Sequence, residues 1–427
     1  MNAEGMIVGL DIGTTKVCVV IGELNSAGVV EITGIGKSVS TGMKKGAVVN
    51  VESTTAAIEA AVEAAELMSG QVIRICWTGI GGKHVEGINS RGVVAITGHK
   101  RENREISCDD VMRVIEAARA VVIPLDREII QTIPQSYIVD DHRGIKDPLG
   151  MIGVRLESEV HIITVSGTSR KNLIGCVNRA GFRAHDHLIL QVLAAGRAVL
   201  SPEERELGVA LIDLGGGTTD VLVYHDGAPY STFTVPLGGI DVTRDISMIK
   251  SISMEAAERI KCENACCWET YLEHEDILLP NVAGPRPISI PRSHVYEVVR
   301  ARMEEIFELV KNDLDRVNHR ALTGGIVITG GGASLLGVME LASEIFKMPV
   351  RIGVPLRSRN NNLGGMIDEC CTPSYATAIG LVLEGADREA NDTERAAGLG
   401  SLPSKIGYKG GLGPVGRFIS LVKKGLF

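Results

Sequence analysis

Two stretches of the chain share one pattern: an apolar, β-rich run, a glycine–threonine turn headed by an aspartate, and a second apolar run. They read MIVGLDIGTTKVCVVIG over 6–22 and VALIDLGGGTTDVLVYHD over 209–226. Apolar runs of this kind around a glycine turn predict paired strands, so each stretch is expected to be a hairpin. Aligning Asp11 with Asp213 brings Gly13 onto Gly215 and Thr14–Thr15 onto Thr218–Thr219, leaving two extra glycines in the second copy. The repeat predicts an α/β protein of two duplicated halves that face each other.

Between and beyond the hairpins the pattern changes. Residues 53–68 have helical spacing, with Ser53 or a neighbouring threonine as the expected cap. VIRICWTGIGG then returns as a strand ending in glycines. Residues 84–165 predict a small inserted α+β subdomain. It has a helix at 109–121, opened by Ser107 with Asp110 three residues on, and strands over REIIQTIPQSYIV and RLESEVHIITV. Residues 293–318 predict a long amphipathic helix with Val295, Val299, Met303, Phe307, Val310, Leu314 and Val317 on one face. GIVITGGGASLLG predicts strand, triple glycine, helix. Residues 385–413, rich in glycine, charge and small residues, predict a flexible linker.

The last stretch, 414–427, predicts a helix entered at Pro414. Val415, Phe418, Ile419, Val422 and Leu426 share a broad apolar face, while Arg417, Ser420, Lys423 and Lys424 take the flanks and the opposite side. Such a helix is about 21 Å long, too short for a bilayer core of about 30 Å. It suits the membrane interface instead, apolar face down and cations near anionic lipid. One copy attaches weakly, and two tails on linked subunits bind far better.

Composition narrows the function classes. With 427 residues, 44% hydrophobic and 22% charged, the chain has ample material for two or three domains. A net charge of -8 argues against a general nucleic-acid binder. The nine cysteines include a cluster at Cys262, Cys266 and Cys267 that lacks the paired spacing of a zinc site. His142, His161, His185 and His187 have no spacing that suggests a ligand set, which leaves exposed or satisfied core positions. No basic-then-apolar signal opens the sequence, and no apolar run reaches about 18 residues.

The turns carry the candidate chemistry. A tight glycine–threonine turn exposes backbone N–H groups that can surround phosphate oxygens. An aspartate heading each turn would face a Mg²⁺ ion, which takes one or two carboxylates along with water and phosphate oxygens. Two such turns from two halves can pinch a triphosphate. Gly330, Gly331 and Gly332, after a strand and before a helix, allow close approach to a base or ribose.

These three motifs, in this order, resemble the actin-like ATPase superfamily. DIGTT resembles its first phosphate motif, DLGGGTTD the second and TGGGASLLG the adenosine motif. Residues 187–200 and 372–384 resemble the two inter-domain connecting helices, and AAERIK at 256–261 the helix flanking the nucleoside. Within that superfamily the chain most resembles the bacterial cell-division FtsA family. The stretches VIPLDREIIQTIPQSYIVDD and DPLGMIGVRLESEVHII, the insertion at 84–165 and the basic amphipathic end carry that resemblance.

The resemblance implies ATP and Mg²⁺ as cofactors. It places Asp11 and Asp213 around the metal, mostly through water, and Gly13, Thr14, Thr15, Lys16, Gly215, Gly216, Gly217, Thr218 and Thr219 around the phosphates. Glu258 and Lys261 would flank ribose and base, with Gly330, Gly331 and Gly332 on the adenosine. Gln191 takes the water-orienting place where this family usually shows Glu. Glutamine orients water without accepting its proton, which implies slow hydrolysis at most. KCENACC also departs from the family's usual glycine-containing sequence after AAERIK. The implied domain division is 1–83 and 166–200 with the inserted 84–165, then 201–384 with its return to the first domain, the linker 385–413 and the tail 414–427.

The implied role is a polymerising, membrane-tethered division protein at the cytoplasmic face of the inner membrane. Its implied partners are the acidic C-terminal tail of the tubulin-like FtsZ, received near Arg286, Arg300 and Arg302, further copies of itself, anionic lipids and other division proteins. Competing expectations are a pilus-assembly protein of the same fold and, further off, a kinase or phosphatase.

Overall fold

The computed structural model describes residues 5–25, 28–96, 105–185, 188–273, 276–279, 288–317, 322–355, 363–365 and 367–396. The tail residues 414–427, most of the expected linker, Arg286 and His187 lie outside the described residues.

Both hairpins form, each at the centre of a mixed sheet. Met6–Ile12 pairs antiparallel with Lys16–Leu24 and parallel with Ile75–Ile80. The full sheet has seven strands, and Val30–Val39 and Leu363–Gly365 complete its far side. In the second half Val209–Leu214 pairs antiparallel with Thr219–His225 and parallel with Ile326–Thr329. Ala228–Val235 and Val350–Ile352 are the edges of that five-stranded sheet. All seven residues of Met6–Ile12 are buried, as a central strand covered on both faces requires.

The register corrects the expected alignment of the two hairpins. Asp11 pairs with Cys18 and Ile12 with Val17, while Asp213 pairs with Asp220 and Leu214 with Thr219. Both turns therefore have the same length. Gly216 and Gly217 stand where the first turn has Thr14 and Thr15, and Thr218 stands where it has Lys16. Matching threonine to threonine across the copies had created a gap that the backbone does not have.

Each half has its own core. Leu10, Val19, Ile58 and Leu381 lie in one, Ile212, Ile328, Val299 and Phe307 in the other. The helix Val51–Ser69 supplies Ile58 and is capped by the Asn50 side chain, which accepts from the Ser53 N–H. Ser53 is thus inside the helix and not its cap. Arg292–Arg316 is the expected long helix, except that Val317 falls past its end and Ile306 joins its buried face.

Two helices join the halves. The first, Gln191–Val199, begins only after a short strand, Ile189–Leu190, that pairs with Ile75–Ile80. The second, Ala376–Ala396, crosses it so closely that a Cβ on Gly380 would meet the Ala194 carbonyl oxygen at 1.7 Å. This second helix runs through residues 385–396, which were expected to be linker. Trp77 explains part of the extension: its Nε1 donates to Glu389 at 3.2 Å, and Arg388 lies over its ring.

The insertion is a four-stranded antiparallel sheet in the order Val85–Ala95, Arg155–Ser166, Arg127–Val139, His142–Ile145. The helix Cys108–Arg119 packs on it, with Val111 and Val114 buried beside Tyr137 and Leu156. Ser107 and Asp110 form the expected reciprocal cap. No helix among the described residues is long and apolar enough to cross a membrane.

Candidate functional site

The two turns meet. A Cβ on Gly216 would lie 2.4 Å from Thr15 Cγ2, and one on Gly217 would lie 2.5 Å from Thr14 Oγ1. Only glycine fits at either place, because the first turn's threonines occupy the space. Inside each turn the geometry is alike: the Gly13 N–H donates to the Lys16 carbonyl at 2.9 Å and the Gly215 N–H to the Thr218 carbonyl at 3.0 Å.

Around this contact opens a cleft of about 530 Å³, within the range of small-molecule sites. It is lined by Asp11, Gly13, Thr14, Thr15, Lys16, Gln191, Asp213, Gly215, Gly216, Gly217, Thr218, Glu258, Lys261, Gly330, Gly331 and Gly332. The cleft thus gathers the expected cofactor residues from both halves, with one exception. Thr219 is fully buried in its strand and its hydroxyl donates to the Leu237 carbonyl at 2.9 Å. Strand alternation turns it away from the turn that Thr218 serves.

Sequence reasoning passed over Asp220, Lys37, Thr377 and Met303, which also line the cleft. Asp220 was visible in DLGGGTTD, and its pairing with Asp213 follows once the two turns are given equal length. Thr377 Oγ1 donates to Asp213 at 3.3 Å from the second connecting helix. No periodicity argument brings residues so far apart in sequence together.

The carboxylates are under strain from one another and from burial. Burial, followed by the charges of Asp220 and Asp11, pushes Asp213 up to about 7. Burial also raises Asp11, against the Lys16 charge and a 2.7 Å hydrogen bond from Gln191 Nε2. Burial raises Asp220 too, against donors from Thr234 at 2.5 Å, Thr218 at 3.1 Å and the Gly82 N–H. A divalent cation beside these groups would restore their ionised forms. Among the described residues no three His, Cys, Asp or Glu side chains form a cation site alone, so such an ion would take further ligands from a bound molecule or water.

On the opposite wall, Lys261 Nζ donates to Glu258 at 2.7 Å, to Thr243 Oγ1 at 2.9 Å and to the Gly239 carbonyl at 3.1 Å. Burial would raise Glu258, but donors from Lys261 and Thr243 hold it below the ordinary glutamate value. Gly330 has φ of +85°, and a Cβ there would meet Asp213 Oδ1 at 2.2 Å, whereas a Cβ on Gly331 would meet nothing within 4 Å. One glycine lets the backbone turn past the aspartate, and the next leaves the wall bare. Lys16 donates to the Ser374 carbonyl and lies 5.5 Å from the centre of the Tyr375 ring.

Away from the cleft, Arg300 and Arg302 are each about a quarter exposed. Arg300 pairs with Glu304 and Glu344, and Arg302 with Asp245 and Glu305. They are committed to neighbours and do not form an open cationic patch. Cys262 is exposed and lines the cleft, whereas Cys266 and Cys267 are buried. His161 is buried and fully hydrogen-bonded, and His185 stacks on Trp77.

Among solved structures, the PilM–PilN type IV pilus biogenesis complex matches with a TM-score of 0.61 at 16% identity, over 89% of this chain and 98% of that one. MreB5 of Spiroplasma citri bound to ADP matches with a TM-score of 0.53 at 14% identity, over 93% of this chain and 99% of that one. At these identities the likeness concerns the fold, and with the paired turns it defines an actin-like ATPase fold. Residues 210–380 match the family model Cell division protein FtsA, and residues 82–164 match the SHS2 domain inserted in FTSA. The cell division protein FtsA of Borreliella burgdorferi is 45% identical over 384 residues, covering 89% of this chain and 91% of the relative. That of Pseudomonas aeruginosa is 41% identical over 388 residues, 90% of each. The chain belongs to the FtsA family of cell division proteins.

Proposed function

We propose that the chain binds ATP with Mg²⁺ in the cleft, polymerises, and tethers FtsZ filaments to the cytoplasmic face of the cell membrane at the division septum. The observation that carries the nucleotide part is the contact of two glycine turns above three clustered carboxylates, Asp11 buried and Asp213 and Asp220 partly so. Backbone N–H groups of Thr14, Thr15 and Gly216–Thr218 would hold phosphate oxygens from both sides, with Lys16 adding charge. Bound Mg²⁺ would neutralise the phosphates and keep Asp11 and Asp213 ionised. Glu258 and Lys261, fixed by their ion pair, would orient the ribose, and the bare backbone at Gly331 would receive the base. Gln191, held on Asp11, would position water without taking its proton, so turnover would be slow.

The membrane and FtsZ parts of the reading rest on family membership and on the sequence of 414–427. Its five apolar residues and Arg417, Lys423 and Lys424 suit anionic lipid. Docking of an acidic tail near Arg300 and Arg302 would have to exchange the acidic partners they now hold. The test is co-sedimentation with anionic liposomes of the full chain and of one ending at Gly413, with FtsZ and with or without ATP–Mg²⁺. The expected result is that only the full chain pellets and brings FtsZ with it. Equal behaviour of both versions would overturn the tether.

A further inference from the structure

The inserted sheet grows out of the first half, since its first strand starts at Val85, five residues past the end of Ile75–Ile80. Yet it also touches the second half, along the edge strand Ala228–Val235, through polar groups. Asn89 Nδ2 donates to the Tyr230 carbonyl at 3.0 Å and Gln135 Nε2 to the Pro229 carbonyl at 2.9 Å. The first bond fixes the Asn89 amide, so its Oδ1, 2.7 Å from His161 Nδ1, can only accept. His161 therefore carries its proton on Nδ1, and its Nε2 accepts from the Thr232 hydroxyl at 3.0 Å. Burial keeps the imidazole neutral by lowering its pKa to about 4. Gly87 makes room for the contact: a Cβ there would lie 2.1 Å from Thr232 Oγ1 and 2.7 Å from the imidazole.

Two residues along the same face of this strand, Thr234 lies behind the cleft wall, against Asp220, which lines it. It pairs with Asp220 in register, its hydroxyl donates to the Asp220 carboxylate, and it lies 3.5 Å from the Gly82 carbonyl of the first half. Period-two alternation places Thr232 and Thr234 side by side. One strand of the second half is thus fastened to the first half twice, at the cleft through Thr234 and Asp220 and at the insertion through Thr232.

We infer that Thr232 and His161 are positioning residues for closure of the cleft, and that ligand binding there and docking of the inserted sheet are linked. The inference rests on the nucleotide reading above. A ligand gripped by both turns favours the arrangement in which the halves approach, and that arrangement also closes the seam. By reciprocity, loosening the seam weakens the ligand.

The experiment uses the full chain and two variants outside the cleft. Thr232→Val leaves His161 Nε2 buried without a donor, and Gly87→Ala wedges the seam apart. Each is titrated with a fluorescent N-methylanthraniloyl ATP and Mg²⁺, and amide hydrogen exchange is followed with and without ATP–Mg²⁺. Thermal unfolding reports that the variants fold, and either variant suffices should the other fail. The expected result is that ATP–Mg²⁺ slows exchange across 85–91 and 228–235 in the unaltered chain. The variants should bind roughly fivefold more weakly, at the low end for linked sites, and lose that protection. Binding with unchanged affinity in the variants, or protection confined to 11–16 and 213–218, would overturn the inference alone. An unaltered chain that binds no ATP–Mg²⁺ would overturn the nucleotide reading and this inference with it.

Discussion

The first hairpin fills its turn and the second empties it. Between Asp11 and Cys18 stand Thr14, Thr15 and Lys16; between Asp213 and Asp220 stand Gly216, Gly217 and Thr218. The backbone is the same in both, closed by the same hydrogen bond from Gly13 or Gly215. The side chains are complementary, because the threonines of one turn rest where the other has only hydrogen. Duplication preserved the backbone donors and divided the side-chain work. A second asymmetry lies one step back along the strands, where fully buried Cys18 faces Asp11 while Asp220 faces Asp213 with three donors of its own. The cation Lys16 on one side then stands against three carboxylates shared by both.

Making the hairpins alike should break the protein in graded ways. The largest effect is expected from Cys18→Asp, which copies the second hairpin's acid into the first. Cys18 is fully buried without the donors that serve Asp220, so the variant should lose about 4 kcal/mol or more of stability, read by denaturant unfolding.

Asp213→Asn comes next and depends on pH. Folded Asp213 keeps its proton up to about 7, whereas an unfolded aspartate releases it near 3.9. The folded state therefore binds the proton more tightly, and stability falls as pH rises between those values. Without ligand, Asp213→Asn should be more stable than the unaltered chain above pH 7, on the order of 4 kcal/mol at most. The advantage should fade as pH falls towards 4. ATP–Mg²⁺ affinity of the unaltered chain should rise across the same window, because the metal competes with the proton.

Two further changes act on the cleft alone. Gly216→Thr gives the second turn the side chain of the first, and its Cβ collides with Thr15. ATP affinity should drop about 100-fold, close to 3 kcal/mol, with far-ultraviolet circular dichroism unchanged. The smallest effect is expected from Lys16→Met, which removes the charge that lowers Asp11 and Asp213. A fall of about tenfold, or 1.4 kcal/mol, in a nucleotide titration would fit.

Much of this was legible in the sequence, for identifiable reasons. Strand, turn and strand at both hairpins follow from apolar runs around glycine, and the inserted helix follows from the Ser107–Asp110 box. The cap at Asn50 was missed because Asn, Ser and Thr stand together at 50–55 and each is a good cap. The alignment of the turns failed because like was matched to like, whereas the fold set threonine against glycine across the cleft. Thr219 was misplaced by the same step, since strand alternation follows register and not residue type. Residues 385–396 read as linker because their small and charged residues suit either state, and the Trp77, Glu389 and Arg388 contacts come from distant sequence. Asp220 and Thr377 needed the assembled halves to show that they share a wall with Asp213.

The central claim is that the two turns act as one clamp through a threonine-on-glycine fit. Isothermal titration of ATP–Mg²⁺ into the unaltered chain, Gly216→Thr, and the exchange variant Thr15→Gly with Gly216→Thr tests it most directly. The exchange moves the side chain from one turn to the other and keeps their closeness. The account predicts that affinity falls about 100-fold in the single variant and recovers most of the way in the exchange. Binding by Gly216→Thr as tight as by the unaltered chain, or an exchange variant no better than the single one, would contradict it.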